Sequence, residues 1–211
     1  MYIPKHFEQT NLEAMHALIT QQPFATLVTI GAEGLCANHL PVELCLEPKP
    51  YGLLIGHVAR ANPVWRDLAD GHEALFIFQG SNSYITPSWY PSKAETGKVV
   101  PTWNYAVVHA HGPLRAITDP EWLRAHVERL THQHEATFAQ PWALADAPRD
   151  FIDKLIGGIV GLEMPIARLV GKWKTSQNRP EPDQRGVIEG LRAVGTSAAL
   201  QMAEYIAQEH R

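Results

Sequence analysis

The sequence predicts an α+β fold, a barrel-like sheet in one domain with helices inserted among its strands and appended after them. Three observations carry that prediction. Segments rich in β-formers, such as Phe24–Ile30, are punctuated by glycine and proline turns. Leu53–Ile55 and Leu75–Phe78 are apolar on both faces, as strands inside a closed or heavily covered sheet are. Helical signals lie between these strands and dominate the tail.

The elements follow in order. Residues 10–22 read as an amphipathic helix: Thr10 and Glu13 have capping-box spacing, Leu12, Met15, His16 and Ile19 share a stripe, and Pro23 stops it. The strand Phe24–Ile30 turns at Gly31-Ala32-Glu33-Gly34. Beyond it Leu40, Val42, Leu44 and Leu46 alternate with more polar residues, so one face is buried. Between the two doubly apolar strands, Asn62–Leu68 reads as a short helix with Asn62 as N-cap and Pro63 at its first position. Val99–Ile117 reads as a long strand broken at Gly112-Pro113. Asp119 and Pro120 then open a helix whose stripe is Leu123, Val127 and Leu130. A helix near Arg149–Ile156 ends at Gly157-Gly158, and a strand over Ile159–Leu169 runs into Gly171-Lys172-Trp173-Lys174. The alanine-rich tail is helical over Asp183–Val194 and Thr196–Gln208.

Composition excludes several classes. Hydrophobic residues at 45% and charged residues at 19% exclude a disordered chain. With 18 basic against 22 acidic residues, the formal charge is −4, a poor basis for direct attraction to nucleic acid. No helix pair with a short glycine turn carries a basic face, so a helix-turn-helix is not expected. The start Met1–His6 has no apolar run after a basic residue, and Gly52–Val58 and Ala74–Phe78 are too short to span a bilayer. Cys36 and Cys45 have no CxxC spacing and read as idle thiols of a reducing compartment. A soluble, cytoplasmic protein is expected, with no membrane partner. Of the 11 histidines, His109-x-His111 and His132-x-His134-Glu135 are the pairs with ligand-like spacing. Neither has a third ligand in register, so no metal site is expected.

Four segments carry chemistry. Gly56–Pro63 sets Arg60 beside the free N–H groups of a helix start, suited to a phosphate; an ion-paired strand end is the plainer reading. Gly80–Pro91 is a stiff loop with three aromatics that either lines a planar ligand or covers a core. In Val100–Tyr105, period two puts Trp103 and Tyr105 on one face and Thr102 and Asn104 on the other. The first pair can flank a flat ring and the second can hydrogen-bond its edge, or both can serve a core. Gly171–Arg179 gathers two lysines, an arginine and Ser176, Gln177 and Asn178 into an anion-friendly patch that otherwise reads as a solvated basic loop.

Together these segments resemble the PaiB family, the FMN-binding negative transcriptional regulators of the FMN-binding split-barrel superfamily. The resemblance includes Met1–Phe7, His39-Leu40-Pro41, Gly56–Pro63, Ser83–Lys93, Val99–Tyr105, the Asp119–Leu130 helix and Gly171–Arg179. It covers 1–192 as one PaiB-like domain, with 193–211 as a C-terminal helical extension of it. Thr175 departs from the family pattern, where an aliphatic residue is expected. The resemblance implies a six-stranded antiparallel, Greek-key-like split barrel that forms a homodimer, with FMN in the groove between subunits. By motif, Arg60 and Asn62 meet the phosphate, supported by Lys172 or Lys174. Trp103 and Asn104 meet the ring or ribityl chain, and Ser176, Gln177 and Asn178 close the site. His39 and His57 are additional polar contacts. It implies a negative transcriptional regulator whose partner is DNA or a DNA-binding partner protein, and the acidic charge favours indirect action, through flavin-dependent sensing or that protein, over direct contact with DNA. The alternatives are a flavin oxidoreductase acting on a small molecule and a haem or tetrapyrrole carrier.

Overall fold

A computed structural model describes residues 1–31, 33–68 and 72–208. In chain order its elements are β1 (Glu8–Gln9), α1 (Leu12–Gln21), β2 (Phe24–Gly31), β3 (Gly34–Cys45), β4 (Leu53–Ala59) and β5 (Glu73–Ile85). Then come α2 (Ser92–Thr96), β6 (Thr102–Pro113), β7 (Arg115–Ile117), α3 (Pro120–Glu135), α4 (Arg149–Gly157), β8 (Ile159–Pro165), β9 (Arg168–Lys174), α5 (Glu181–Val194) and α6 (Ser197–Gln208). The α+β class holds. Among the described residues nine strands pair in the order β1-β9-β6-β5-β2-β3-β4-β8-β7, where the resemblance implied six, and the order does not close on itself. Among the described residues no helix is long and apolar enough to cross a membrane.

Several boundaries moved for local reasons. Helix α1 is capped by Asn11, whose Oδ1 accepts from Ala14 N at 3.2 Å, so Thr10 lies outside it. Asn62 caps as expected, its Oδ1 accepting from Val64 N at 3.0 Å, but the turn it opens at Pro63–Leu68 is a 3₁₀ helix. Asp119 accepts from Glu121 N at 3.2 Å and starts α3 with Pro120. The segment expected as one strand over Ile159–Leu169 is two, because Ile166 N bonds Gly52 O and Ala167 N bonds His111 O and the chain bends there. Strand β5 runs on through Gly80–Ile85, half of what reads as an aromatic loop. Of the turn expected at Gly31–Gly34, Ala32 lies outside the described residues.

The chain forms two compact units. One comprises Ile19–Phe78 and Ala110–Leu169. Its antiparallel registers pair Ala25 with Leu40, Leu27 with Phe76, Leu54 with Met164 and Val58 with Val160. Partners point to the same side of a sheet, so these residues form one continuous apolar face, and all are buried. On another side of the same strands, α3 and α4 contribute Leu123, Ile152 and Ile156 to a second cluster that includes Leu144. Buried side chains of this size contribute about 1.5–3 kcal/mol each.

The other unit comprises Met1–Leu18, Gln79–His109 and Val170–Arg211. Helices α5 and α6 bury Val187, Leu191, Met202 and Ile206 against Ile85 and Tyr90. Gly195, at φ 70, turns the chain between them. The tryptophan of the Pro-Ser-Trp-Tyr-Pro segment lies directly on α5. A Cβ on Gly186 would fall 2.0 Å from the backbone oxygen of Trp89. Gly186→Ala is therefore expected to cost about 1–3 kcal/mol or more, since backbone must move, and a thermal melt reads it directly.

Candidate functional site

In the second of these units, strand alternation sorts the residues of β6. Asn104, Ala106 and Val108 turn inward with no exposed surface. Trp103 turns outward, 55% exposed, and its ring meets that of Tyr84 edge to face at 5.9 Å. On β9, Trp173 is the inward residue, 6.5 Å from Tyr205 between ring centroids. Lys172 and Lys174 take the alternate positions. Lys172 Nζ lies 5.3 Å from the Tyr105 ring centre and donates to the Tyr2 carbonyl at 3.2 Å. Lys174 Nζ donates to the Trp103 carbonyl at 2.7 Å and to Thr102 Oγ1.

The turn after β9 is held from inside. Ser176 stands at φ 67, a left-handed conformation unusual for serine. Asn104 Nδ2 donates to its Oγ at 2.8 Å, a buried bond linking β6 to this turn. Gln177 folds back twice, accepting from Thr175 N and donating to the Trp173 carbonyl, both at 2.7 Å. Asn178 is exposed, and Arg179 stacks over Tyr90 at 4.8 Å. Two buried oxygens here, Asn104 Oδ1 and Thr175 Oγ1, have no hydrogen-bond partner.

The electrostatics ask for an anion. Burial, then the charges of Lys172 and Arg179, push the Lys174 ammonium below its ordinary pKa. Among the described residues no carboxylate lies within ion-pair distance of these three cations. A dianionic phosphate fits this donor set, and the exposed Trp103 ring fits a flat heterocycle.

Seven residues expected from sequence thus lie in one unit: Trp103, Asn104, Lys172, Lys174, Ser176, Gln177 and Asn178. Asn104 is fully buried, so its amide shapes the turn. Tyr84 and Arg179 were not singled out. Arg179 stood in the basic segment, while Tyr84 was masked by a stretch that reads as loop. Arg60 and Asn62 belong to the other unit. Arg60 Nε donates to the Gly157 carbonyl at 2.7 Å and Nη2 to that of Ile159 at 3.0 Å. It lines a cavity of about 600 Å³ with Arg124, Arg149 and Asp153. Asn62 Nδ2 donates to Asn38 Oδ1 at 2.7 Å. His39 bonds Thr26 and His57 bonds His126, each at 3.1 Å.

Residues 1–168 match the model of a family described as "Putative FMN-binding domain". The chain belongs to this FMN-binding family, the PaiB type that its motifs resemble. It is similar to the Protease synthase and sporulation protein PAI 2 of Bacillus subtilis, 33% identical over 97% of this chain and 95% of that one. Among solved structures it shares its fold with a FAD and haem binding protein from Mycobacterium smegmatis, at TM-score 0.58 and 18% identity over 79% of this chain and 73% of that one. The flavocytochrome Anf3 from Azotobacter vinelandii matches at TM-score 0.59 and 11% identity, over 87% and 78% of the two chains.

Proposed function

We propose that this PaiB-type chain binds one FMN per subunit and serves as a flavin-dependent regulator acting through a partner. The observation that carries the reading is the cluster Lys172, Lys174 and Arg179, without carboxylate partners among the described residues, beside the exposed Trp103–Tyr84 ring pair. The lysines take the phosphate, Trp103 flanks the isoalloxazine, and Gln177 and Asn178 offer hydrogen bonds to its polar edge. Asn104 and Ser176 hold the turn that carries them. Arg60 and Asn62 remain a second assignment for the phosphate, supported by motif alone. Bound FMN would supply the redox chemistry of its ring. The formal charge of −4 supports regulation through a protein partner over direct DNA contact.

Addition of FMN is expected to quench flavin fluorescence at one equivalent per chain and to raise the melting temperature. Failure of both at saturation would remove the cofactor assignment. Catalytic reoxidation of a nicotinamide through the bound flavin would instead favour the oxidoreductase.

A homodimer completes the proposal. Phe24, Ile30 and Leu35 are 69%, 71% and 79% exposed, and Ile30 pairs directly with Leu35 across β2 and β3. Such an apolar sheet face suits a second copy under two-fold symmetry. Sedimentation is expected to give about twice the chain mass at micromolar concentration, and Leu35→Lys to give monomers.

A further inference from the structure

In the unit containing α3, this helix sets a polar cluster against the sheet. Glu43 pairs with Ile55 and Ile55 with Glu163, so the two carboxylates share one row; His57 pairs with Gly161 in the next. Gly161 leaves room for the Trp122 indole, whose ring would sit 2.2 Å from any Cβ there. Trp122 Nε1 donates to Glu163 at 3.1 Å and its ring stacks on His126 at 5.4 Å. His126 is wholly buried, its Nε2 3.1 Å from His57 Nδ1. Its Nδ1 has no hydrogen-bond partner and lies 3.7 Å from Glu43 Oε2. Arg129 Nε donates to both Glu43 oxygens, at 3.1 and 3.3 Å. Beside Glu43 the Cys45 thiol is pushed up, chiefly by burial, and Arg115 of β7 pairs opposite Glu163.

We propose that the His57–His126 pair is an acid-sensitive latch holding α3 to the sheet of its own unit. One proton lies between the facing nitrogens. A lone pair on His126 Nδ1 would point at the Glu43 carboxylate, so that atom carries hydrogen and Nε2 accepts. His57 Nδ1 is then the donor, and its Nε2 takes the next proton. A further proton on His126 Nε2 sets two N–H groups face to face, and the contact parts. Burial keeps His57 below its ordinary value and brings His126 to about 4, with the charges of His57 and Arg129 adding to burial at His126. Both folded pKa values are depressed, so the latch costs nothing above about pH 6.5 and weakens as pH falls from there towards 4.

The latch is independent of any flavin, and the intact protein tests it. At pH 7.5, long-range nitrogen–proton NMR is expected to show both rings as Nδ1–H tautomers. Amide exchange in α3, corrected for intrinsic rates, is expected to report a roughly thirty-fold larger opening equilibrium at pH 5, the ratio set by a pKa of 4 against 6.5. His57→Gln with His126→Gln is expected to cut that to about threefold or less. An Nε2–H tautomer at His126, or its titration near 6.5 with α3 protection unchanged, overturns the latch. Both readings need only the unsubstituted protein, so they decide even where the variant fails to fold.

Discussion

Alanine at both Lys172 and Lys174 is expected to weaken FMN by roughly 100-fold or more while leaving riboflavin within about twofold. Each charge-assisted hydrogen bond to a phosphate contributes about 1.5–3 kcal/mol, and riboflavin lacks that group while keeping the ring and ribityl chain. The salt dependence of FMN affinity should flatten in the same variant, since screening acts on the charges that were removed. Affinity is also expected to rise between pH 5 and 7, as the phosphate takes its second charge near pH 6. On the alkaline side it falls at a pH below the usual lysine range, because burial and two neighbouring cations depress Lys174. Competitive titration of the two ligands reads all of this. Equal losses for both would move the phosphate elsewhere.

Elsewhere means Arg60, and Arg60→Ala is the second decisive variant. Two of its N–H groups hold the carbonyls of Gly157, the last residue of α4, and of Ile159, the first of β8. Removing them is expected to lower stability by about 1–3 kcal/mol, with the partly exposed geometry keeping the figure modest. FMN and riboflavin should then change alike or not at all. A loss confined to FMN, with an unchanged melting temperature, would return the phosphate to Arg60. Arg60→Lys should recover little stability, since one ammonium cannot span both carbonyls as the fork does.

How much of this was legible in the sequence depended on reach. Asp119-Pro120 announced α3 because a cap is settled within three residues. Leu53–Ile55 and Leu75–Phe78 were recognisable as buried strands because both of their faces are apolar. Gly80–Ile85 was not, since glycine, serine and asparagine are weak strand formers and only pairing within the sheet extends β5 through them. His126 stood one place from Val127 in the expected stripe, yet its burial follows from a partner 69 residues away.

The sequence by itself determined the α+β class, the caps at Asn62 and Asp119, the family and the grouping of cations after Gly171, all properties of composition or of neighbours along the chain. Tertiary structure decided which of those groups are committed. It tied Arg60 to carbonyls 97 and 99 residues distant, and Asn104 to the left-handed Ser176. It left Lys172, Lys174 and Arg179 together with no carboxylate among the described residues in reach. A charge in sequence shows only what it can bond; folding decides what lies within about 4 Å of it, and so whether that charge is already spent.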